Sequence, residues 1–127
     1  MAEKQKVELE YIVKSSPKIL YNYISSPSGL SEWFADDVNI QKDEYTFIWG
    51  NSRQTARLVS EKKDKFIRFK WLEEPENTYF EFKIELDDLT SDVILTVTDF
   101  ADNAAGAKEA KELWDSQVNS LMHCIGS

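Results

Sequence analysis

Side chains able to do acid–base or nucleophilic chemistry are few and dispersed. One histidine, His123, and one cysteine, Cys124, stand side by side near the C-terminus, between Leu121 and Ile125. Those two apolar residues belong to a helical pattern. A histidine in the last turn interacts favourably with the helix dipole without any catalytic role. His123 therefore reads as a helix-end residue, and Cys124 as a small packing residue rather than a nucleophile. Asp36-Asp37 and Asp87-Asp88 pair carboxylates in sequence. Adjacent residues on a strand point to opposite faces, so neither pair converges on one bond or one metal ion. Turn and solubility roles suit them. Asp99 is different. The alternation Val93, Leu95, Val97 continues to it, which places a carboxylate on an inward face where the chain leaves for its last loop. The simpler reading makes Asp99 part of a capping loop with Asp102 and Asn103. The functional reading makes it a polar anchor for a ligand, partnered by Arg57 or Arg53 as a buried carboxylate requires.

The chain contains no P-loop, no GxGxxG turn and no HExxH pair. Its lone cysteine excludes a cysteine-based zinc site and an internal disulfide. No catalytic set, metal site or cofactor is expected from these residues, which favours a binding domain over an enzyme and leaves the enzyme reading open. A charge balance of 15 basic against 23 acidic residues, net −8, repels phosphate backbones and anionic lipid head groups. Nucleic acid and membrane insertion are accordingly not expected. No signal peptide opens the chain and no apolar run reaches the length of a membrane span. A reducing, cytoplasmic setting follows as the expectation.

Elements must position whatever Asp99 and the aromatic residues do. Val7, Leu9, Tyr11 and Val13 alternate as a half-buried strand. Ser15-Ser16-Pro17 then supplies an N-cap and a first-turn proline, and Ser25-Ser26-Pro27 repeats the signal. Two short helices are predicted, nearly without a loop between them. The second ends in the stretch GLSEWFADDV, residues 29–38, where Trp33 and Phe34 are adjacent. Neighbouring helical residues diverge by about 100°, so one ring is expected to plug the core and the other to sit at a rim.

From Val38 to Phe100 the period becomes two. Tyr45, Phe47 and Trp49 share one strand face. Ile67, Phe69 and Trp71 share another, as do Phe80, Phe82, Ile84 and Leu86, and then Val93, Leu95 and Val97. Arg53 to Glu61 has a mixed pattern. Turns are predicted at Gly50-Asn51, at Glu74-Pro75-Glu76-Asn77 and from Asp87 to Asp92. After Asp99, Ala107, Ala110, Trp114, Val118, Leu121 and Ile125 recur at spacings of three and four, with Leu113 and Met122 on the flanks. That is an amphipathic helix of about five turns. Short links between strands imply hairpins, and one long helix must cover one apolar sheet face. The expected architecture is α+β: a curved antiparallel sheet of six or seven strands gripping a long C-terminal helix. Two short helices lie between the first and second strands, and residues 1–127 form one domain.

This order resembles the START-like (SRPBCC) superfamily, the helix-grip fold of the birch-pollen-allergen type. The residues that carry the likeness are Ser15-Ser16-Pro17-Lys18-Ile19-Leu20-Tyr21, Leu30-Ser31-Glu32-Trp33-Phe34, the strand Phe66-Ile67-Arg68-Phe69-Lys70-Trp71, and the end helix with Trp114 and Leu121. Within the superfamily the chain is similar to the branch related to the activator of heat-shock protein 90 ATPase. The resemblance implies an apolar pocket between sheet and helix. Its families bind lipids, sterols, hormones and polyketides, while a minority catalyse cyclisation or hydrolysis and others act as chaperone partners. On that basis the expected function is binding of a small hydrophobic or amphipathic ligand. The expected lining is Trp33, Phe34, Trp49, Phe69, Trp71, Phe80, Phe82, Asp99 and Trp114. Small residues at Ala107 and Ala110 leave room for such a pocket. A protein-interaction module, acting like a chaperone ATPase activator or as an adaptor, and a cyclase- or hydrolase-type enzyme are the alternatives, with a protein partner or a homodimer as the corresponding partner expectation.

Overall fold

Serine and proline set the first turns, as their spacing predicts. In the computed structural model, which describes residues 4–74 and 77–126, strand β1 (Gln5–Val13) runs into helix α1 (Pro17–Ser25) and helix α2 (Pro27–Trp33). The Ser16 hydroxyl accepts the Ile19 N–H at 3.1 Å, satisfying one otherwise orphaned donor of the first turn. Ser26 serves both helices. Its own N–H donates to Asn22 O at the end of α1, and its hydroxyl accepts the Gly29 N–H at 2.9 Å to start α2. Gly29 is required by this economy of chain. A Cβ there would lie 2.4 Å from Asn22 O and 2.6 Å from Tyr23 Cα.

Six strands follow: β2 (Asp37–Gln41), β3 (Glu44–Trp49), β4 (Ser52–Lys62), β5 (Phe66–Trp71), β6 (Phe80–Leu86) and β7 (Val93–Ala101). Helix α3 (Ala104–Ile125) closes the chain. The seven strands form one sheet in the order β1-β7-β6-β5-β4-β3-β2, and each pairing is antiparallel. Consecutive hairpins build it from β2 to β7, and β1 returns to pair with β7. The mixed pattern of Arg53 to Glu61 has a local cause: the β4–β5 register shifts between Leu58 and Ser60. A bulge there inverts the alternation halfway along the strand. Pro75 and Glu76 of the expected β5–β6 turn lie outside the described residues.

One face of the sheet is apolar and carries the core. Phe47, Ala56, Ile67, Phe69, Phe82, Leu95 and Val97 are fully buried on it. Helix α3 covers that face with Trp114, Val118 and Leu121, and α1 and α2 add Leu20, Ile24 and Leu30. Ala110, Met122 and Ile125 pack against this core partly buried, whereas Leu113 is 59% exposed. Asn103, not Asp99, caps α3, its side chain accepting the Gly106 N–H at 2.8 Å. Gly126 ends the helix at a φ of 82°, a left-handed conformation that glycine adopts without strain. Among the described residues no helix is long and apolar enough to cross a membrane.

Candidate functional site

Phe34 is the centre of the aromatic interior. Its ring stacks on Phe80 at 5.9 Å on the sheet side and on Trp114 at 5.7 Å on the helix side, with interplanar angles of 25° and 14°. It therefore lies between sheet and helix, in the space where a pocket is expected from the sequence. Phe47, Trp49, Phe82 and Trp33 surround it at 5.0–6.0 Å. Two further bonds hold this segment through its backbone. Trp49 Nε1 donates to Phe34 O at 2.7 Å, and Gln117 Nε2 of α3 donates to the same oxygen at 3.4 Å.

The expected division of Trp33 and Phe34 between core and rim is not observed. Both are buried, at 7% and 4% exposure. Phe34, the α2 C-cap, keeps a helical backbone with φ −92° and ψ −41°, and both rings are buried because the aromatic interior surrounds this end of α2, Trp33 meeting Phe82 and Phe34 meeting Phe80 and Trp114. Trp33 meets Phe82 edge-on at 5.6 Å and donates its indole N–H back to Tyr23 O at 2.8 Å, closing α2 onto α1. Phe69, Phe80 and Phe82 are equally enclosed. Trp49 and Trp71 are half-buried, at the ends of their strands.

Asp99 faces inward on β7, in step with the buried Val93, Leu95 and Val97. Its Oδ2 accepts the Trp114 indole N–H at 2.9 Å, and its Oδ1 accepts the Phe100 N–H at 2.8 Å. Burial pushes this carboxyl above its ordinary pKa, against the opposing pull of the Trp114 and Phe100 hydrogen bonds. The expected arginine partners are not there. Ala56 is the inward residue of β4, so Arg57 and Arg53 sit an odd number of positions from it and point to the other face. The cation near Asp99 is Lys4, which bonds instead to Asp102 at 2.8 Å and Glu74 at 3.1 Å.

These groups border a cleft of about 240 Å³ at the end of the sheet where β7 gives way to α3. Asp99 and Trp71 line it with Lys4, Gln54, Glu74, Thr78, Tyr79 and Phe100. Tyr79 is held in place from the outer face: the Arg68 guanidinium lies 3.9 Å above its ring, and Phe100 meets it edge-on at 5.1 Å. Arg68 is itself fixed by Glu81 at 3.0 Å. Of the nine residues expected from the sequence, the structure brings Trp71 and Asp99 to this cleft and places Trp114 directly behind Asp99. The other six form the packed interior and its ends. Lys4, Gln54 and Thr78 escaped the sequence reading because they belong to no periodic pattern, and Tyr79 because it alternates with Phe80 and Phe82 and so falls on the other face. Only register brings them together, since pairing of Gln5 with Ala101 carries Lys4 to the end of β7.

The remaining candidates have structural work. Asp36 accepts the Gly50 N–H at 2.7 Å, and Asp37 accepts the Val38 N–H at 2.9 Å. Asp87 receives the N–H groups of Leu89 and Thr90, which hold its carboxyl below the usual range. His123 is exposed in the last turn of α3. Cys124 is exposed too, and its thiol donates to Glu32 O of α2 at 3.4 Å.

A seven-stranded antiparallel sheet gripping one long C-terminal helix, with two short helices between its first two strands, defines a helix-grip protein. Residues 1–127 match the START-like superfamily domain, and the chain belongs to that superfamily. It is similar to BfR322 of Bacteroides fragilis, with 42% identity, covering 96% of this chain and 91% of that one at a TM-score of 0.68. The Aha1 dimer of Colwellia psychrerythraea shares the fold at 15% identity and a TM-score of 0.81, covering 95% and 96% of the two chains. DynU16, a protein of the dynemicin biosynthetic locus, does so at 13% identity and a TM-score of 0.80, over 96% of this chain and 47% of that one. No curated protein matches the sequence.

Proposed function

We propose that this START-like domain binds a small amphipathic molecule at the end of the sheet–helix interior, with Asp99 as its polar anchor. The observation that carries the reading is a half-buried carboxylate aimed inward at the border of an aromatic core and a cleft, and fixed there by the Trp114 indole. The cleft itself is mainly polar, with Lys4, Gln54, Glu74, Thr78 and Asp99 beside the rings of Trp71, Tyr79 and Phe100, and the apolar wall lies behind it. Trp71 and Tyr79 offer ring surface, and Asp99 and Gln54 offer hydrogen bonds. Trp33, Phe34, Trp49, Phe69, Phe80, Phe82 and Trp114 form the wall behind, with Phe34 occupying the deeper space. Titration with a panel of small amphipathic molecules, followed by tryptophan emission and thermal shift, tests this. At least one compound should change the emission and raise Tm, and Trp71→Ala should abolish both responses. A flat response across the panel refutes the proposal.

A second reading, a partner-binding surface, has one observation in its favour. Ile12, Leu86 and Leu89 come to the opposite end of the sheet and are 56%, 58% and 96% exposed. Sedimentation across a concentration series distinguishes a self-associating chain from a monomer.

A further inference from the structure

We infer that the ligand's polar end is a protonated amine that pairs with Asp99. The inference rests on the ligand-binding reading above and narrows it to a chemical class. Each Asp99 oxygen already accepts one N–H, from Trp114 and from Phe100, and a carboxylate oxygen has capacity for a second. Among the described residues no ammonium or guanidinium lies within ion-pair distance of it. Lys4 is tied to Asp102 and Glu74, and Arg53 and Arg57 face the other side of the sheet. Removing a carboxylate from water without a cationic partner is costly, and a ligand ammonium supplies that partner. The rest of the lining carries no net charge, since Lys4 and Glu74 pair within it, and so leaves the Asp99 charge uncompensated, while the Trp71 ring beside it is a surface that attracts cations.

An anionic ligand would meet Asp99 unfavourably, since Lys4 on the same wall is already held by Glu74 and Asp102, and a neutral one gains a hydrogen bond without relieving the buried charge. The cleft, at about 240 Å³, is smaller than the sites that hold drug-sized molecules. The class is therefore a small monoamine bearing one ring or a short aliphatic group.

Three probes of one shape and different charge test the assignment: phenethylamine, 2-phenylethanol and 3-phenylpropionate. The readout is the Trp114 indole N–H resonance, which reports directly on Asp99. Phenethylamine should shift it saturably, with an affinity at least about tenfold above that of the alcohol. Asp99→Asn should remove that preference. The wild-type comparison needs no variant, so the outcome does not depend on how Asp99→Asn folds. If the alcohol or the carboxylate binds as tightly as the amine, or Asp99→Asn keeps the amine preference, the ammonium assignment is overturned while the cleft stands as a binding site. If none of the three moves the resonance at about 10 mM, four decades weaker than a micromolar ligand, both readings fall.

Discussion

Replacing Phe34 by alanine separates a packed interior from a preformed pocket. The Phe34 ring is 4% exposed and contacts six other rings, two of them stacked on opposite sides of it. Truncating a buried phenylalanine costs about 3–5 kcal/mol, combining lost transfer energy with the cavity left behind. Aromatic pairs contribute about 0.5–1.5 kcal/mol beyond area. With six partners, Phe34 belongs at the upper end, about 4–5 kcal/mol. For a domain of this size each kcal/mol shifts Tm by roughly 3–4 °C, so a fall of roughly 12–20 °C is expected. Urea unfolding followed by tryptophan emission measures the loss, with the slope unchanged if the fold is kept. The void would be apolar and walled by Phe47, Phe80, Phe82 and Trp114. Such cavities stay dry and take benzene-sized guests. Added benzene or indole should therefore restore part of the lost stability in the variant and do nothing for the wild type. A loss below about 1 kcal/mol would falsify the reasoning, since a phenylalanine facing an open pocket is cheap to truncate. Benzene stabilising the wild type equally would show that the deeper space is already vacant.

Two other perturbations address the frame and the anchor. Gly29→Ala forces a Cβ to within 2.4–2.8 Å of Asn22 O, Tyr23 Cα and Ser26 Oγ. Separating α1 from α2 should cost about 2–3 kcal/mol by thermal unfolding, and an unchanged Tm would contradict the close approach. Asp99 predicts a pH dependence of known sign. Its carboxyl pKa is raised in the folded state, chiefly by burial, so the folded protein holds this proton more tightly than the unfolded chain does. Stability contributed by this group is full below its ordinary value of 3.8, falls as pH rises through the raised folded value, and is flat beyond it. Lys4, Glu74 and Asp102 are the charged neighbours, and Asp99→Asn removes the titration while keeping an oxygen for Trp114. Subtracting the unfolding free energies of variant and wild type across pH 3.5–7 isolates the slope. A difference that stays constant, or runs the other way, contradicts the buried carboxylate.

How much was legible depends on whether the cause is local. Period-two and helical spacings each report a single element facing a single core, so the seven strands and three helices were readable in their order. Ser16, Pro17, Ser26 and Pro27 act within one turn of themselves, and they too were readable. The bulge at Leu58–Ser60 blurred β4 because it reverses the alternation inside the strand. At the site, the inward face of Asp99 followed from the same period as Val93, Leu95 and Val97. Its partners did not. Arg53 and Arg57 were plausible by charge, but strand parity sends them to the opposite face. Lys4 reaches the cleft only through β1–β7 register, more than ninety residues away in sequence.

By itself, the sequence determined that this chain must be an antiparallel sheet wrapped on one helix, because its apolar residues can be buried together in no other simple layering. It also placed one carboxylate on the inner face. Only the tertiary structure decided that Trp33 and Phe34 both lie inside, because the end of α2 is enclosed by the sheet on one side and α3 on the other. It decided as well that Phe34 lies between Phe80 and Trp114, and that Asp99 is bound by an indole rather than by an arginine. Those outcomes depend on where distant segments meet, and spacing along the chain carries no record of that.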